Sequence, residues 1–198
     1  MKKVIAYTGI LILFSCSYLN AQEKFIDKIR PDHVKVQFAG NIGLFSAGIG
    51  YSLWSGKTQT DMLYGYVPAF IGGNDVHTIA NKNSFRLFHR PISKAWTYSN
   101  FIGFSLNYSI TNDTYIFLPK QYPDGYYSAN ALHFAPFFSY NFVYANHDSR
   151  LFKKAHFYLE LSTLDNYLWY CIKTNAIPFT EIWNLAIGTT IPLHQQKR

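Results

Sequence analysis

Three side chains in this 198-residue sequence have the types and spacing from which a reactive or binding site could be built. His156 and Glu160 lie four positions apart, which places both on one face of a β-strand, and His133 lies on an earlier segment with strand character. An imidazole beside a carboxylate can act as a general base or hold a ligand. These groups can equally satisfy one another in a polar interior.

A second candidate is Ser99, which lies in the string Thr97-Tyr98-Ser99-Asn100. The string resembles the end of the His-x-Ser-Asn motif of lipid A deacylases, small outer-membrane barrels that carry this histidine and serine on one strand. Here threonine occupies the histidine position. Without an imidazole there, no general base is predicted for Ser99, and we interpret the match as a coincidence.

Other signatures of catalysis or cofactor binding are missing from the sequence. It has no His/Cys cluster at zinc spacing, no glycine-rich phosphate loop and no Gly-x-Ser-x-Gly elbow. We therefore predict no cofactor and no metal.

The N-terminus has the order of an export signal. Two lysines are followed by an apolar run over 4–14 and a polar stretch over 15–22 that contains Leu-Asn-Ala-Gln. We predict cleavage after Ala21, so that 1–21 is a signal peptide and 22–198 is a single domain. The apolar run is too short to span a bilayer as a helix. Lipid attachment at Cys16 is an alternative, weakened by the bulky residue two positions before it.

Composition favours a membrane barrel over a soluble sandwich. Aromatic residues make up 19% of the chain and charged residues only 15%, while mean hydropathy is near zero. A barrel with an apolar outer face, aromatic girdles and a polar inner face is expected to have a mean hydropathy near zero together with many aromatic residues. The net charge of +7 comes from scattered lysines and arginines. These suit lipid head groups and turns, so we predict no binding of nucleic acid.

Alternation with a period of two residues is the strongest signal. In 45–53, 96–110, 132–144 and 183–193, large apolar residues alternate with small or polar ones. Their length and pattern are typical of membrane β-strands. A soluble sandwich with one buried face predicts the same alternation, but it does not predict so many Phe and Tyr residues opposite small polar ones.

Turn residues between such segments predict an all-β, transmembrane antiparallel barrel of eight strands. The approximate strand bounds are 33–41, 44–54, 58–68, 75–88, 96–110, 131–144, 155–172 and 181–193. An even strand number puts both termini in the periplasm, with a tight periplasmic turn at 54–57 and the longest connection, 111–130, outside. A phase change at 163–166 is interpreted as a bulge. Ten strands are the alternative, if 115–118 pairs with 125–128.

The interior of an eight-stranded barrel is filled by side chains, and strand parity indicates which ones. The polar residues predicted to point inward are Lys35, Gln37, Asp61, His133, Ser139, Asn141, His156, Glu160 and Asn184. We interpret them as a buried network of hydrogen bonds and ion pairs. A catalytic or binding pocket that uses His133 or His156 with Glu160 is the alternative.

The predicted outer loops contain a candidate recognition surface. The strings Gly-Gly-Asn-Asp at 72–75 and Pro-Asp-Gly at 123–125 are turn sequences. The candidate surface residues around them are Asp75, His77, Tyr122, Tyr126 and Tyr127. They could recognise glycan, lipopolysaccharide or a partner protein, although tyrosines near a membrane rim also form the girdle.

Four strings carry a wider resemblance: Leu-Tyr-Gly-Tyr-Val-Pro at 63–68, Gly-Gly-Asn-Asp-Val-His-Thr at 72–78, Tyr-Pro-Asp-Gly-Tyr-Tyr at 122–127 and Leu-Asp-Asn-Tyr-Leu-Trp-Tyr at 164–170. As a set they resemble an uncharacterised family of outer-membrane barrels from Bacteroidetes-type bacteria, across most of the mature chain. The resemblance implies location and fold. It implies no substrate, cofactor or site residue.

These observations favour a non-enzymatic barrel with a packed lumen, surrounded by outer-membrane lipid and lipopolysaccharide, whose loops serve binding, adhesion or envelope integrity. A hydrolase that modifies lipid A or other envelope lipids is the second hypothesis. A small transport pore is the third hypothesis and the least favoured, because eight strands leave no open channel.

Overall fold

Eight antiparallel strands form a closed barrel. The computed structural model describes residues 30–112, 114–117, 119–120, 130–145, 154–174 and 177–193. The strands are β1 (His33–Ala39), β2 (Phe45–Leu53), β3 (Thr58–Val67), β4 (Val76–Pro91), β5 (Trp96–Ile110), β6 (Leu132–Ala145), β7 (Lys154–Ser162) and β8 (Asn184–Pro192). Each strand pairs with its neighbours in sequence, and β8 pairs with β1. The predicted all-β, eight-stranded architecture is confirmed, whereas the ten-strand barrel and the two-sheet sandwich are wrong.

Within the described ranges, no helix is long and apolar enough to cross a membrane. The predicted signal peptide and Cys16 lie outside those ranges, as does the segment 125–128 of the ten-strand alternative.

Strand seven is shorter than predicted. It ends at Ser162 and is followed by the short helix α2 (Asp165–Trp169) and a π-helical turn (Tyr170–Thr174); the four-residue helix α1 (Ala69–Gly72) lies earlier, between β3 and β4. The phase change at 163–166 therefore marks the end of the strand, and the bulge interpretation is wrong. Asp165 accepts a hydrogen bond from the next backbone N–H at 2.9 Å. Such local bonds of Asp and Asn compete with a strand ladder and favour a turn into helix.

The hairpin of β4 and β5 is longer than predicted. It continues to Pro91 and contains a bulge between Arg86 and Phe88. The shorter β2–β3 hairpin closes in the predicted tight turn, where Gly56 N–H donates to Leu53 O at 3.0 Å. Leu53 pairs with Thr58, so the loop has four residues, and Trp54 and Ser55, with φ of 50° and 56°, both adopt the left-handed backbone conformation that is uncommon for residues other than glycine.

The two faces of the barrel wall have opposite character. Outward side chains are large, apolar and exposed, among them Phe45, Ile49, Ile102, Leu132, Phe134, Leu185 and Ile187. Inward side chains are mainly small, polar or charged, and they are buried. The alternation predicted for 45–53, 96–110, 132–144 and 183–193 is therefore confirmed. Asn100 is an exception: its position predicts an outward side chain, but it is buried, where β5 pairs with the irregular part of β4.

Apolar side chains pack in the interior at the barrel end where β1, β3, β5 and β7 finish, which we call the loop end. Ile42 packs there on Leu63 and Ala80, and all three are almost fully buried. The charged interior side chains belong to the neighbouring positions of the same strands.

Candidate functional site

Asp61 is the centre of the first group of charged side chains in the lumen. β3 places it inward, directly opposite Gly50 of β2. One carboxylate oxygen lies 2.6 Å from Nε2 of His33, and the other forms an ion pair with the Lys35 ammonium group. A Cβ atom on Gly50 would lie 2.0 Å from Asp61 Oδ1 and 2.4 Å from His33 Nε2. The glycine therefore makes the space in which the two side chains meet.

Lys82 and Glu160 form a second buried ion pair, between β4 and β7. Lys82 Nζ also donates to Gln37 Oε1 at 3.2 Å, and the Tyr158 hydroxyl donates to the same oxygen at 3.1 Å. Gln37 Nε2 donates to the Ala39 carbonyl at 3.1 Å. The Gln37 side chain thus accepts hydrogen bonds through its oxygen and donates one through its nitrogen, as a buried amide requires.

Aromatic rings join the two ion pairs into one group. Lys82 Nζ lies 4.7 Å from the centroid of the Phe137 ring and 5.5 Å from that of Tyr158, while Lys35 Nζ lies 5.6 Å from the Tyr158 ring. These distances are within the range of cation–π attraction. A Cβ atom on Gly188 of β8 would lie 2.3 Å from Cζ of Tyr158, so this glycine makes room for the ring.

We call this set the lumen cluster: His33, Lys35, Gln37, Asp61, Lys82, Tyr158 and Glu160. Both of its lysines and both of its carboxylates have a partner of opposite charge. Every member is at most 5% exposed. Buried ion pairs are costly to desolvate and contribute only when their geometry and additional hydrogen bonds compensate. With these groups engaged by one another, the lumen cluster can cross-link four strands and block the barrel interior.

The predicted interior residues separate into two groups. Lys35, Gln37, Asp61 and Glu160 meet in the lumen cluster. His133 lies near the loop end, where its Nδ1 is 3.1 Å from the Asp165 carboxylate and its Nε2 is 3.1 Å from the Asn130 carbonyl oxygen.

The remaining predicted residues line other parts of the wall. Asn141 Nδ2 donates to Ser139 Oγ at 2.8 Å. His156 faces inward opposite Val143, and Asn184 begins β8 opposite Ser162. Of the pocket hypothesised around His133 or His156 with Glu160, the His133 arrangement does not form, because His133 and Glu160 bind Asp165 and Lys82 respectively. The arrangement with His156 stays a hypothesis.

Sequence reasoning missed His33, Lys82 and Tyr158 as members of the lumen cluster. Lys82 alternates in phase with the inward positions Thr78 and Ala80, so strand parity alone could have identified it. His33 begins its strand, and Tyr158 has the residue type expected in an outer girdle. Both have the parity of predicted inward residues, His33 that of Lys35 and Tyr158 that of Glu160, so parity could have identified them as well.

At the loop end, the predicted surface residues Asp75 and His77 bind tyrosines of β3. Asp75 accepts hydrogen bonds from the Tyr66 hydroxyl at 2.6 Å and from the Ala69 backbone N–H at 2.9 Å. These two donors, the hydroxyl first, hold the pKa of the Asp75 carboxyl below its usual range. His77 Nδ1 lies 2.6 Å from the Tyr64 hydroxyl. Tyr122, Tyr126 and Tyr127, the other predicted surface residues, lie outside the described ranges.

Ser99 has an imidazole partner that the sequence did not predict. His89 of β4 lies directly opposite it on the extended hairpin, with Nδ1 2.8 Å from Ser99 Oγ. The argument that Ser99 lacks a base was therefore wrong, because the histidine comes from the neighbouring strand. Arg86, rather than a carboxylate, acts electrostatically on the His89 ring, and Ser99 is 5% exposed. A Ser-His-acid triad would instead require an acidic group on the imidazole.

Comparisons with known proteins found no family model, no curated protein and no solved structure that the chain matches. In the part of the chain that the structure describes, no three His, Cys, Asp or Glu side chains are grouped so that they could hold a metal ion.

Proposed function

We propose that this protein is a non-enzymatic outer-membrane barrel whose own side chains fill its lumen and whose outer loops bind envelope components or partners. The observation that carries the proposal is the inverted wall. Leu185 and Ile187 on β8 are 58% and 54% exposed, whereas Lys82 and Asp61 are essentially inaccessible. A soluble monomer rarely exposes a large contiguous apolar surface, and hydrocarbon is the surrounding in which such a wall is stable.

Aromatic side chains at both ends of the barrel support the same proposal. Trp54 is 73% exposed at the β2–β3 turn, and the rings of Trp96 and Tyr144 lie 4.9 Å apart near the β4–β5 turn. At the loop end, Tyr64 and Trp169 are exposed. Two aromatic belts that flank an apolar band are the arrangement of outer-membrane barrels.

One patch of the outer wall is polar, and its side chains satisfy one another. Thr60 donates to Asn83 Oδ1 at 2.9 Å, and Asn83 Nδ2 donates to Asn81 Oδ1 at 2.7 Å. Hydrogen bonds within the patch reduce the cost of facing lipid, because the paired groups do not need water.

The contents of the lumen argue against a transport pore. The lumen cluster occupies the interior between β1, β3, β4 and β7, and Ile42 with Leu63 fills the loop end. Binding is therefore assigned to the rim, where Asp75, His77 and the tyrosines of β3 lie.

Envelope fractionation combined with heat-modifiability tests the proposal. We expect the protein in the outer-membrane fraction, with faster gel migration before boiling than after, because a closed barrel resists detergent until heated. We also expect no stable conductance in planar bilayers. Recovery in the soluble fraction with one migration position would overturn the proposal, and ohmic conductance would overturn the filled lumen.

The contact between His89 and Ser99 makes a lipid-modifying hydrolase the second candidate function. A neutral imidazole can accept the hydroxyl proton of a serine nucleophile. Mass spectra of lipid A from cells with the native gene, without it, and with Ser99→Ala separate the two candidates. Ser105→Ala is the matched control, because Ser105 is also a buried serine of β5. We expect the same lipid A acyl pattern from all of these cells. The enzyme would be favoured if the native gene and Ser105→Ala both altered the acyl pattern and Ser99→Ala did not.

A further inference from the structure

The polar patch of the outer wall lies inside the apolar band. We call it the amide patch and define it as Thr60 of β3 with Asn81 and Asn83 of β4, two positions that have the outward phase of their strand. Along β4 the patch is flanked by Ile79 and Phe85, which are both exposed. Apolar side chains thus continue on both sides of the asparagines. In the proposed membrane barrel the amides therefore lie at the depth of hydrocarbon and not at the rim.

The hydrogen bonds within the amide patch leave donors unused. Thr60 donates to Asn83 Oδ1, and Asn83 Nδ2 donates to Asn81 Oδ1. A carboxamide carries two N–H donors on its nitrogen and two lone pairs on its oxygen. Within the described part of the chain, Asn81 Nδ2 has no acceptor, and Asn83 Nδ2 uses only one of its two N–H groups. Hydrocarbon offers no acceptor, so an amide left in this state in lipid is strongly unfavourable.

A second polar residue of the outer wall is paired within the barrel. Thr189 of β8 lies between the exposed Ile187 and Ile191, and its hydroxyl donates to the His156 backbone carbonyl at 2.8 Å. Because a hydroxyl has one donor, this bond satisfies it. The asparagines of the amide patch differ, since their remaining N–H groups need an acceptor from outside the chain.

We propose that the amide patch is the interface of a two-fold symmetric dimer in the membrane, in which it binds the same patch of a second copy of this chain. The inference rests on the proposed membrane location. The patch has unused N–H donors and oxygens that can each accept another bond, so it is complementary to itself. Across a two-fold axis, Asn81 Nδ2 of each copy can donate to an asparagine Oδ1 of the other. A lipid ester group, which only accepts, would use the N–H groups but not the oxygens.

Apolar side chains on the neighbouring strands surround the amide patch. Met62 of β3 and Leu106 of β5 are the direct partners of Asn81, and both are exposed. In the dimer they would pack around the amide bonds, and the unbranched methionine adapts easily to a facing surface. On β8 the exposed side chains are apolar or, like Thr189, paired within the barrel. One self-complementary patch on one side of the wall predicts a closed dimer and not an open array.

Cysteine cross-linking tests where the copies meet. Met62→Cys, beside the amide patch, and Ile187→Cys, on β8, are made separately in the full chain with Cys16 and Cys171 replaced by serine. The proteins are placed in phosphatidylcholine vesicles at high lipid-to-protein ratio, so that chance collisions are rare, and treated with a lipid-soluble bis-maleimide. We expect a cross-linked dimer from Met62→Cys and almost none from Ile187→Cys. Equal cross-linking at the two positions would overturn the proposal.

The variant Asn81→Leu/Asn83→Leu tests whether the amides hold the dimer. It leaves an apolar wall that lipid solvates, and heat-modifiability shows that it folds. Energy transfer between copies labelled at Cys171, in a Cys16→Ser background, measures dimer affinity as added lipid dilutes them. We expect at least about tenfold weaker dimerisation, the loss that corresponds to two symmetric hydrogen bonds in a membrane.

Thr189→Val is the matched control, because it removes an outer-wall polar group that is already paired; it should leave the dimer affinity unchanged. An affinity that the double leucine variant does not lower would overturn the proposal. So would cross-linking in whole cells that joins Met62→Cys to a chain of different mass, because the occupant would then be another protein.

Fractionation separates this proposal from the proposed function. If the protein is recovered in the outer membrane but shows no energy transfer at any dilution, the dimer is wrong and the location stands. If the protein is recovered in the soluble fraction, the location is wrong, and the dimer falls with it because water then solvates the amides.

Discussion

Ser139 and Tyr140 are neighbours in β6, yet their surroundings are opposite: the serine is 4% exposed and faces the lumen, and the tyrosine is 42% exposed on the outer wall. The same contrast runs along the other strands. In a soluble domain, burial and apolar character rise together, whereas here the buried face is the polar one. Burial alone therefore says little about what stabilises this fold. Each face has to be judged by the solvent or partner groups it meets.

The inner face gives the largest expected effect. Glu160→Gln leaves the buried Lys82 ammonium group without its counter-ion, and we expect a loss of about 3–5 kcal/mol in the free energy of unfolding. The double variant Lys82→Met/Glu160→Leu should cost much less, because it removes both charges. Urea unfolding in lipid vesicles, followed by tryptophan fluorescence, measures both.

Glu181→Gln is the control for this comparison, because Glu181 is exposed on the β7–β8 connection; it should change stability by no more than about 0.5 kcal/mol. A double variant as unstable as Glu160→Gln would mean that the lumen needs charge itself and not only charge balance.

The outer face is tested by a charge placed at two depths. Ile187→Arg, at the middle of β8, should cost about 2–4 kcal/mol if lipid surrounds it, whereas Leu193→Arg, just past the end of β8, should cost about 0–1 kcal/mol. Both native residues are exposed, so the two variants differ mainly in depth. The same vesicle-based unfolding measures them. If both variants lost the same small amount of free energy of unfolding, the outer wall would be surrounded by water and not by lipid.

Close packing on the inner face gives a smaller effect. Gly188→Ala brings a Cβ atom to within 2.3 Å of Tyr158 Cζ, and overpacking of this kind costs about 1–3 kcal/mol. Tyr158→Leu should relieve part of that cost in the double variant. A double-mutant cycle measures the coupling, and strictly additive losses would contradict the proposed contact.

Strand parity made the inner and outer faces predictable, but pairing between strands did not follow from it. Lys35, Gln37, Asp61 and Glu160 were predicted to point inward from their positions alone. That Glu160 meets Lys82 depends on how β4 and β7 are positioned around a closed barrel, which no local pattern contains. The same holds for His89 and Ser99, whose contact depends on a bulge and on the register of a hairpin.

The errors of prediction also have physical causes. The aromatic run after Ser162 has the composition of a strand, but Asp165 and Asn166 bond to local backbone N–H groups and turn the chain into helix. The early end of the β6–β7 ladder had one visible signal, Pro136 in the middle of a strand with two neighbours. That signal indicates an interrupted ladder but not its position on the wall.

We expect the smallest effect at the rim of the barrel, where side chains face water and belong to neither the inner nor the outer face of the wall. The Asp75 carboxylate has a pKa lowered from the ordinary value of 3.8, chiefly by the Tyr66 hydroxyl and then by the Ala69 N–H. Since the folded pKa is below the unfolded one, the stabilisation is complete above the unfolded value and is lost as pH falls through the folded value. We therefore expect the 68–75 connection to loosen only below about pH 4, seen as faster amide hydrogen exchange at Ala69 after correction for intrinsic rates.

Asp75→Asn should remove this pH dependence while leaving that of the rest of the barrel unchanged. If the 68–75 connection loosens equally in the native protein and in Asp75→Asn, a group other than this carboxylate is responsible for the pH dependence.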